Sequence, residues 1–293
     1  MGLFSTLNYI VNHPLNREGR AASIFRFLRW QITIRLNPYP IIYQFTEKSK
    51  LIISKGMTGA TGNLYCGLHE FNDMSFLLHF LRPEDLFVDI GANIGSYSVL
   101  AGAHVGATTI SIEPVPSTYD HLVNNILVNN IQHNSTLLNI ALGAKPGAIK
   151  FTTALDTMNH VATDADVDFV FVNVEILDNV LSEQKAPALL KIDVEGFETE
   201  VIEGASITLS REELKAIIIE LNGSGSRYGF DENKIRDVLN AAGFASYIYN
   251  PITRTLTKSA VNDVHNTIYI RDIDFVRHRI DAAAKIEILN TVF

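Results

Sequence analysis

An acid, two glycines and an amide are spaced through Asp89-x-Gly91-x-Asn93-x-Gly95. A second acid, Glu113, follows about twenty residues later, where nucleotide-binding folds usually hold a ribose diol. A dinucleotide fingerprint would read Gly-x-Gly-x-x-Gly. Here a carboxylate stands at the entrance to the turn, where it would repel a pyrophosphate. It suits a ligand that carries an ammonium group, while the N-terminus of a following helix suits that ligand's own carboxylate. An amino-acid head group joined to a nucleoside has both features, and S-adenosylmethionine is such a molecule. On this reading Asp89, Gly91, Asn93, Gly95, Ser96, Tyr97 and Glu113 form the cofactor pocket, and NAD is disfavoured.

These residues need a strand, a turn and a helix to position them. Phe87, Val88 and Ile90 form a short apolar run of the kind a buried parallel strand shows. Ser98-Val-Leu-Ala-Gly-Ala-His-Val105 then restores helical spacing. Further strands are expected at Thr109–Ile112, Thr136–Ala141, Ala188–Asp193, Ile217–Asn222, Phe244–Tyr249 and Asn266–Ile270, with helices at 117–130, 198–205 and 230–242. The third strand should end facing the adenine through backbone near Ala141. Ligands of open α/β sheets bind beyond the carboxyl ends of the strands, so Asp193, Glu220 and Asn222 are expected side by side there.

Val88-Asp-Ile-Gly-Ala-Asn-Ile-Gly-Ser-Tyr97, Glu113-Pro-Val-Pro116 and above all Leu190-Lys-Ile-Asp-Val-Glu-Gly-Phe-Glu198 resemble the FkbM-type methyltransferases over about residues 65–272. The resemblance implies an α/β Rossmann-like methyltransferase sheet of seven strands, the last antiparallel, with helices on both faces. It also implies methyl transfer from S-adenosylmethionine to hydroxyl oxygens, often of sugars, glycans or secondary metabolites. In that family an acid before the nucleotide unit lines the cofactor pocket, and Glu70 is the best match.

Methyl transfer to oxygen is an in-line displacement, and a hydroxyl must lose its proton as it attacks. Asp193 is the expected base, with Glu195, Glu198 and Glu220 as neighbours and Lys191 as charge partner. Clustered carboxylates raise one another's pKa, which improves a base. Lys191 and Glu198 suit equally a salt bridge or cap at the strand–helix junction. Asp193, Glu220 and Asn222 also offer hard oxygen ligands for Mg²⁺, although the metal-free reading is preferred. His69, Asn159, His160 and Asn222 are expected to contact the acceptor. A non-catalytic module that binds S-adenosylmethionine is the alternative from another functional class.

The remaining chain bounds these readings. At 293 residues and 47% hydrophobic it can bury a substantial core. A net charge of −8 argues against nucleic acid as partner, leaving a small-molecule or glycan acceptor. The single cysteine, Cys66, reads as a small buried hydrophobe and fits a reducing cytoplasm. No secretory leader or membrane span is expected. Residues 1–64 are read as an N-terminal helical, basic and amphipathic extension, and 65–293 as the methyltransferase domain. Within the extension, Arg17–Leu36 carries five arginines against Glu18, and its apolar face is expected to pack on the sheet or on a second subunit of a homo-oligomer, with attachment to a membrane surface or to an acidic partner as the alternative. Ile149–Thr153 and Val170–Val174 are read as a hairpin lid. They flank a solvated loop holding Asp156, Met158, Asp164, Asp166 and Asp168.

Overall fold

The computed structural model describes residues 2–37, 39–153, 159–163, 165–259 and 266–293; Asp156, Met158 and Asp164 lie outside them. The chain opens with α1 (Leu3–Asn12), α2 (Arg20–Leu36) and a hairpin of β1 (Ile41–Thr46) and β2 (Ser49–Ile53). α3 (Thr58–Cys66) and α4 (Phe71–Phe80) come next. The glycine-rich segment Gly56–Gly62, which by sequence reads as a turn, therefore enters a helix, and the division expected after residue 64 falls inside α3. Gly62 is needed there because a side chain would press on the His69 ring, with a Cβ only 2.7 Å from Nδ1.

β3 (Leu86–Ile90), α5 (Ser96–Val99, continued by a π-helical turn to Val105), β4 (Thr108–Ile112), α6 (Pro116–Val128) and β5 (Ser135–Leu138) build the first half of the sheet. Pro116 opens α6 at a position where its missing N–H costs nothing. β6 (Ala141–Leu142), β7 (Gly147–Thr152) and β8 (Phe169–Glu175) form a separate three-stranded sheet. The hairpin reading of β7 and β8 holds, since they pair antiparallel from Gly147↔Val174 to Thr152↔Phe169. Ala141, expected at the end of the third main strand, instead pairs with Val174 in this smaller sheet. The chain breaks at Asn139, whose side-chain amide donates to the carbonyls of Glu113 and Pro114.

The second half contains α7 (Leu177–Val180), β9 (Leu189–Ile192), α8 (Glu198–Glu203), α9 (Ser206–Ser210), β10 (Ala216–Glu220), α10 (Glu232–Ala241), β11 (Ala245–Asn250), β12 (Thr255–Lys258), β13 (Asn266–Ile270) and α11 (Ile273–Asp281). The large sheet runs β12-β11-β13-β10-β9-β3-β4-β5. β10, β9, β3, β4 and β5 are parallel, and β13 lies antiparallel between β10 and β11. The sheet thus has eight strands where seven were expected. The eighth, β12, pairs with the edge strand β11 across a tight turn where Asn250 accepts from the N–H groups of Ile252 and Thr253.

Alternation along the strands sorts the core into two faces. Leu86, Val88, Ile90, Leu190, Ile192, Ile217 and Ile219 pack with Val201, Leu209 and Leu239 from α8, α9 and α10. Phe87, Leu189, Ile218 and Ile268 face the other way, toward α3, α4, α5 and α6. Ile10, Phe27 and Trp30 of the first two helices join this second cluster. α2 nevertheless buries only Ser23, Phe27 and Trp30, and Ile24, Phe25, Leu28, Ile32 and Leu36 are exposed. Of the two places expected for its apolar face, the body of the protein covers only one narrow side of the helix, where Arg26 donates to Asn16 Oδ1 and to the Tyr65 carbonyl. Cys66 is fully buried, as expected, and burial pushes its thiol up to about 12.

Candidate active site

The two-residue alternation that places Phe87, Leu189, Ile218 and Ile268 on one face also places Asp89, Lys191, Asp193, Glu220 and Asn266 there. The pairings Asp89↔Lys191 and Glu220↔Asn266 put these residues on adjoining strands. A strip of polar side chains thus crosses the carboxyl ends of the parallel strands. The strip divides naturally into two halves.

In the first half, β3 ends at Ile90 and the chain turns through Gly91, Asn93 and Gly95, all with positive φ. Gly91 is required for a reason beyond φ, because a side chain there would run into the Asp193 carbonyl. The carboxylate of Glu113 accepts from Asn93 N–H at 2.9 Å and from Val115 N–H at 3.0 Å, so it clamps the turn. Burial pushes Glu113 up to about 7 against the pull of those two N–H groups. Asp89 is buried and accepts from the Ser98 hydroxyl at 2.6 Å, while its second oxygen, Oδ1, has no hydrogen-bond partner. Its pKa is raised by burial, with Lys191 opposing. Ser96 accepts from the Asn63 side-chain amide at 3.1 Å. Buried Tyr97 donates to Glu70 Oε2 at 2.8 Å. Asn266 donates to Glu70 Oε1 at 2.8 Å and to Asp73 at 3.3 Å, so Glu70 is held from both sides.

In the second half, buried Lys191 donates to Asp193 at 2.7 Å and lies 4.8 Å from the centre of the Tyr97 ring. Burial acts to lower the Lys191 pKa, but Asp193, Glu70 and Asp89 outweigh it and hold the ammonium above its ordinary value. Glu195 adopts a left-handed backbone with φ 54°, and its carbonyl accepts from Arg227 at 3.2 Å. Burial and the nearby Asp193 push Glu195 up to about 7. Burial, Asp193 and Glu195 together push Glu220 up to about 9, and its buried Oε2 has no hydrogen-bond partner. Asp193, Glu195 and Glu220 each offer an oxygen within 4.8 Å of the others. Glu198 stands apart. Its carboxylate accepts from Val194 and Gly196 N–H, which makes it the cap of the loop between β9 and α8.

The expected acceptor residues are more scattered. The His69 ring lies 2.8 Å from the Tyr9 hydroxyl and stacks edge-on to it, against α1. His160 is buried, with Nε2 3.6 Å from Asp166, and its backbone N–H donates to Thr152. Asn159 accepts from the Thr152 hydroxyl at 3.3 Å. Asn222 is exposed and its side-chain oxygen accepts from Ser224 N–H, at the start of the loop that leads into the 3-10 turn Ser224–Tyr228. Sequence reasoning overlooked Asn266 and the aromatic group of Phe197, Tyr228 and Phe230, whose ring centres lie 5.6–6.0 Å apart beside Glu195. The Tyr228 hydroxyl donates to the Val161 carbonyl and ties this group to the inserted sheet. Alternation in Asn266-Thr-Ile-Tyr-Ile270 was the available signal for Asn266, since it shares parity with Ile268.

The chain is similar in sequence and in fold to several known proteins. Over 175 residues, 59% of this chain and 68% of the relative, the sequence is 25% identical to the hexuronic acid methyltransferase AglP of Haloferax volcanii. The crystal structure of methyltransferase FkbM from Methylobacillus flagellatus KT matches with 18% identity and a TM-score of 0.45, over 73% of this chain. This chain spans 55% of that one. M. jannaschii TYW2, solved in complex with AdoMet, matches with 14% identity and a TM-score of 0.41, over 80% of this chain and 88% of its own. A model of the FkbM methyltransferase domain covers residues 89–246, from the acid of the glycine turn past the Lys191–Glu198 segment and through most of the sheet. That match takes in more than half of the sequence, and the chain belongs to the FkbM methyltransferase family.

Proposed function

We propose that this protein transfers a methyl group from S-adenosylmethionine to a hydroxyl oxygen of a sugar, a glycan or a secondary metabolite. The observation that carries the reading is the gathering of Asp193, Glu195 and Glu220 beside Lys191, directly beyond the glycine turn. The donor set fits the cofactor. Glu70, Asp73, Asp89, Asp193, Glu195 and Glu220 share this end of the sheet with Lys191 and Arg227, and the excess of carboxylates suits a cation. When bound, S-adenosylmethionine supplies an electrophilic methyl group on a sulfonium. Gly91, Asn93, Gly95, Ser96 and Tyr97 would surround its head group, with Asp89 and Glu70 supplying negative charge. Glu113 would hold the ribose diol, and backbone near Ala141 the adenine.

The chain's own residues then manage one proton. Asp193, oriented by Lys191, takes it from the acceptor hydroxyl. Glu220 keeps its own proton at neutral pH and can donate a hydrogen bond to the acceptor. Glu195, titrating near neutrality, is the second candidate base. Phe197, Tyr228 and Arg227 provide a surface on which a sugar ring could stack, joining the expected contacts of His69, Asn159, His160 and Asn222. The name of the Haloferax relative supports a sugar-class acceptor.

A second reading has Mg²⁺ among Asp193, Glu195 and Glu220, supported by the 4.8 Å grouping of their oxygens. The deciding experiment incubates the protein with S-adenosylmethionine and a panel of hydroxylated sugars and uronic acids, with and without chelator. S-adenosylhomocysteine formation is read by mass spectrometry. Chelator sensitivity would favour the metal. Cofactor binding with no product on any acceptor would favour the non-catalytic alternative.

A further inference from the structure

α2 has two apolar sides, and only one has a partner. Ser23, Phe27 and Trp30 turn inward, and Arg26 anchors the helix to Asn16 and Tyr65. On the outward side Ile24, Leu28, Ile32 and Leu36 recur every four residues with Phe25 beside them. Phe25 is 65% exposed, Leu28 52%, Ile32 58% and Leu36 80%. Tyr39 and Ile42, just beyond the helix, are exposed as well. Scattered exposed apolar residues are ordinary, but a continuous stripe along a helix of 17 residues marks an interaction surface.

The charges around the stripe identify the partner. At helical periodicity Arg29 borders it on one side and Arg20 on the other, and Arg35 sits among the apolar residues near its end. Among the described residues Arg17, Arg20, Arg29 and Arg35 have no ion-pair partner within the protein. Five of the 24 basic residues and one of the 32 acidic residues fall between Arg17 and Leu36, so this stretch carries +4 and the rest of the chain −12. A second copy docking face to face would set the same arginines against each other, because a two-fold interface pairs a patch with itself. An apolar stripe flanked by arginines matches instead a helix lying in the plane of a lipid surface, its apolar residues among the acyl chains and its cations among anionic headgroups.

We propose that the outward face of α2 seats this protein on anionic membranes as a peripheral, non-spanning attachment. This agrees with the finding that no helix among the described residues is long and apolar enough to cross a membrane. It is independent of the methyl-transfer reading, since none of the face's residues belongs to the strand-end site.

The test floats the full-length protein with vesicles of phosphatidylcholine alone or with about one third phosphatidylglycerol. Flotation is expected with the anionic vesicles only, and added salt should weaken it. A variant with Phe25→Ser, Leu28→Ser and Ile32→Ser should bind at least about tenfold more weakly while melting as the parent does. Arg20→Glu with Arg29→Glu leaves the apolar stripe intact. It should weaken binding at low salt roughly thirtyfold or more, from the usual contribution of one basic side chain at an anionic surface taken twice. The proposal is overturned if neither vesicle floats the protein, or if the arginine variant binds like the parent. It is also overturned if light scattering shows a dimer that the serine variant dissolves into monomers.

Discussion

The two halves of the strand-end site are built on opposite principles. Around the glycine turn each acid is tied by hydrogen bonds: Glu113 to two backbone N–H groups, Asp89 to Ser98, and Glu70 to Tyr97 and Asn266. Beyond β9 and β10 the acids face chiefly one another, with Lys191 as the buried cation; a partnerless carboxylate oxygen occurs in both halves, on Asp89 and on Glu220. The first half is tied together by its own hydrogen bonds without a ligand, the kind of pre-organisation that favours binding. The second half is electrostatically unrelieved, which is the condition that moves carboxylate pKa values into the range useful for proton transfer.

If this division is correct, substitutions in the two halves should separate binding from chemistry. Asp193→Asn should lower turnover by about 10²–10⁴ while leaving cofactor affinity nearly unchanged. Turnover with an identified acceptor and titration calorimetry on the same protein would check this. Full activity in the folded variant would move the search for the base to Glu195. Glu113→Ala should do the reverse. Losing charge-assisted hydrogen bonds should weaken cofactor binding by about 1.5–3 kcal/mol, with turnover at saturating cofactor largely kept.

The unrelieved half should also show in the pH dependence of stability. Glu195 and Glu220 are raised from 4.5 to about 7 and about 9, so the folded protein binds more protons than the unfolded one between those values. Stability from these groups is fully present below about pH 4.5 and is lost as pH rises through the folded values. Glu220→Gln removes one such group and should stabilise the ligand-free protein at pH 8 by about 1–3 kcal/mol. Melting curves of both proteins from pH 5 to 8 should diverge as pH rises, and parallel curves would contradict the assignment. The smallest effect concerns the tie between the halves. Asn266→Ala should cost about 1 kcal/mol of stability and weaken cofactor binding modestly through the loosened Glu70. Calorimetry and melting together would measure it.

Much of this was legible in the sequence because parallel strands buried on both faces read as unbroken apolar runs. Asn266–Ile270 matches its observed bounds, and Asp193 and Glu220 were placed by the ends of such runs. Local pattern failed where distant contacts decide. Gly59 and Gly62 suggested a turn, yet helix α3 accepts them, and Gly62 serves the His69 ring. Thr136–Ala141 reads as one strand but is divided between Ser135–Leu138 and Ala141–Leu142, because propensity does not reveal that Asn139 reaches back to Glu113. In α2 the apolar periodicity was plain, but a sequence does not say which apolar side faces inward. The partners of Glu70 were hidden for the same reason, since Tyr97 and Asn266 lie far from it along the chain.

Asn266 donates to Glu70 across 196 residues of sequence. As the chain leaves the ribosome, the glycine turn and its Glu113 clamp need only the segment up to about β5 to assemble. Glu70 receives its second anchor only when β13, long after β5 in the chain, emerges and inserts between β10 and β11. A nascent chain can therefore complete its glycine turn long before it can complete the wall opposite, and the strand-end site as a whole waits for its long-range contacts.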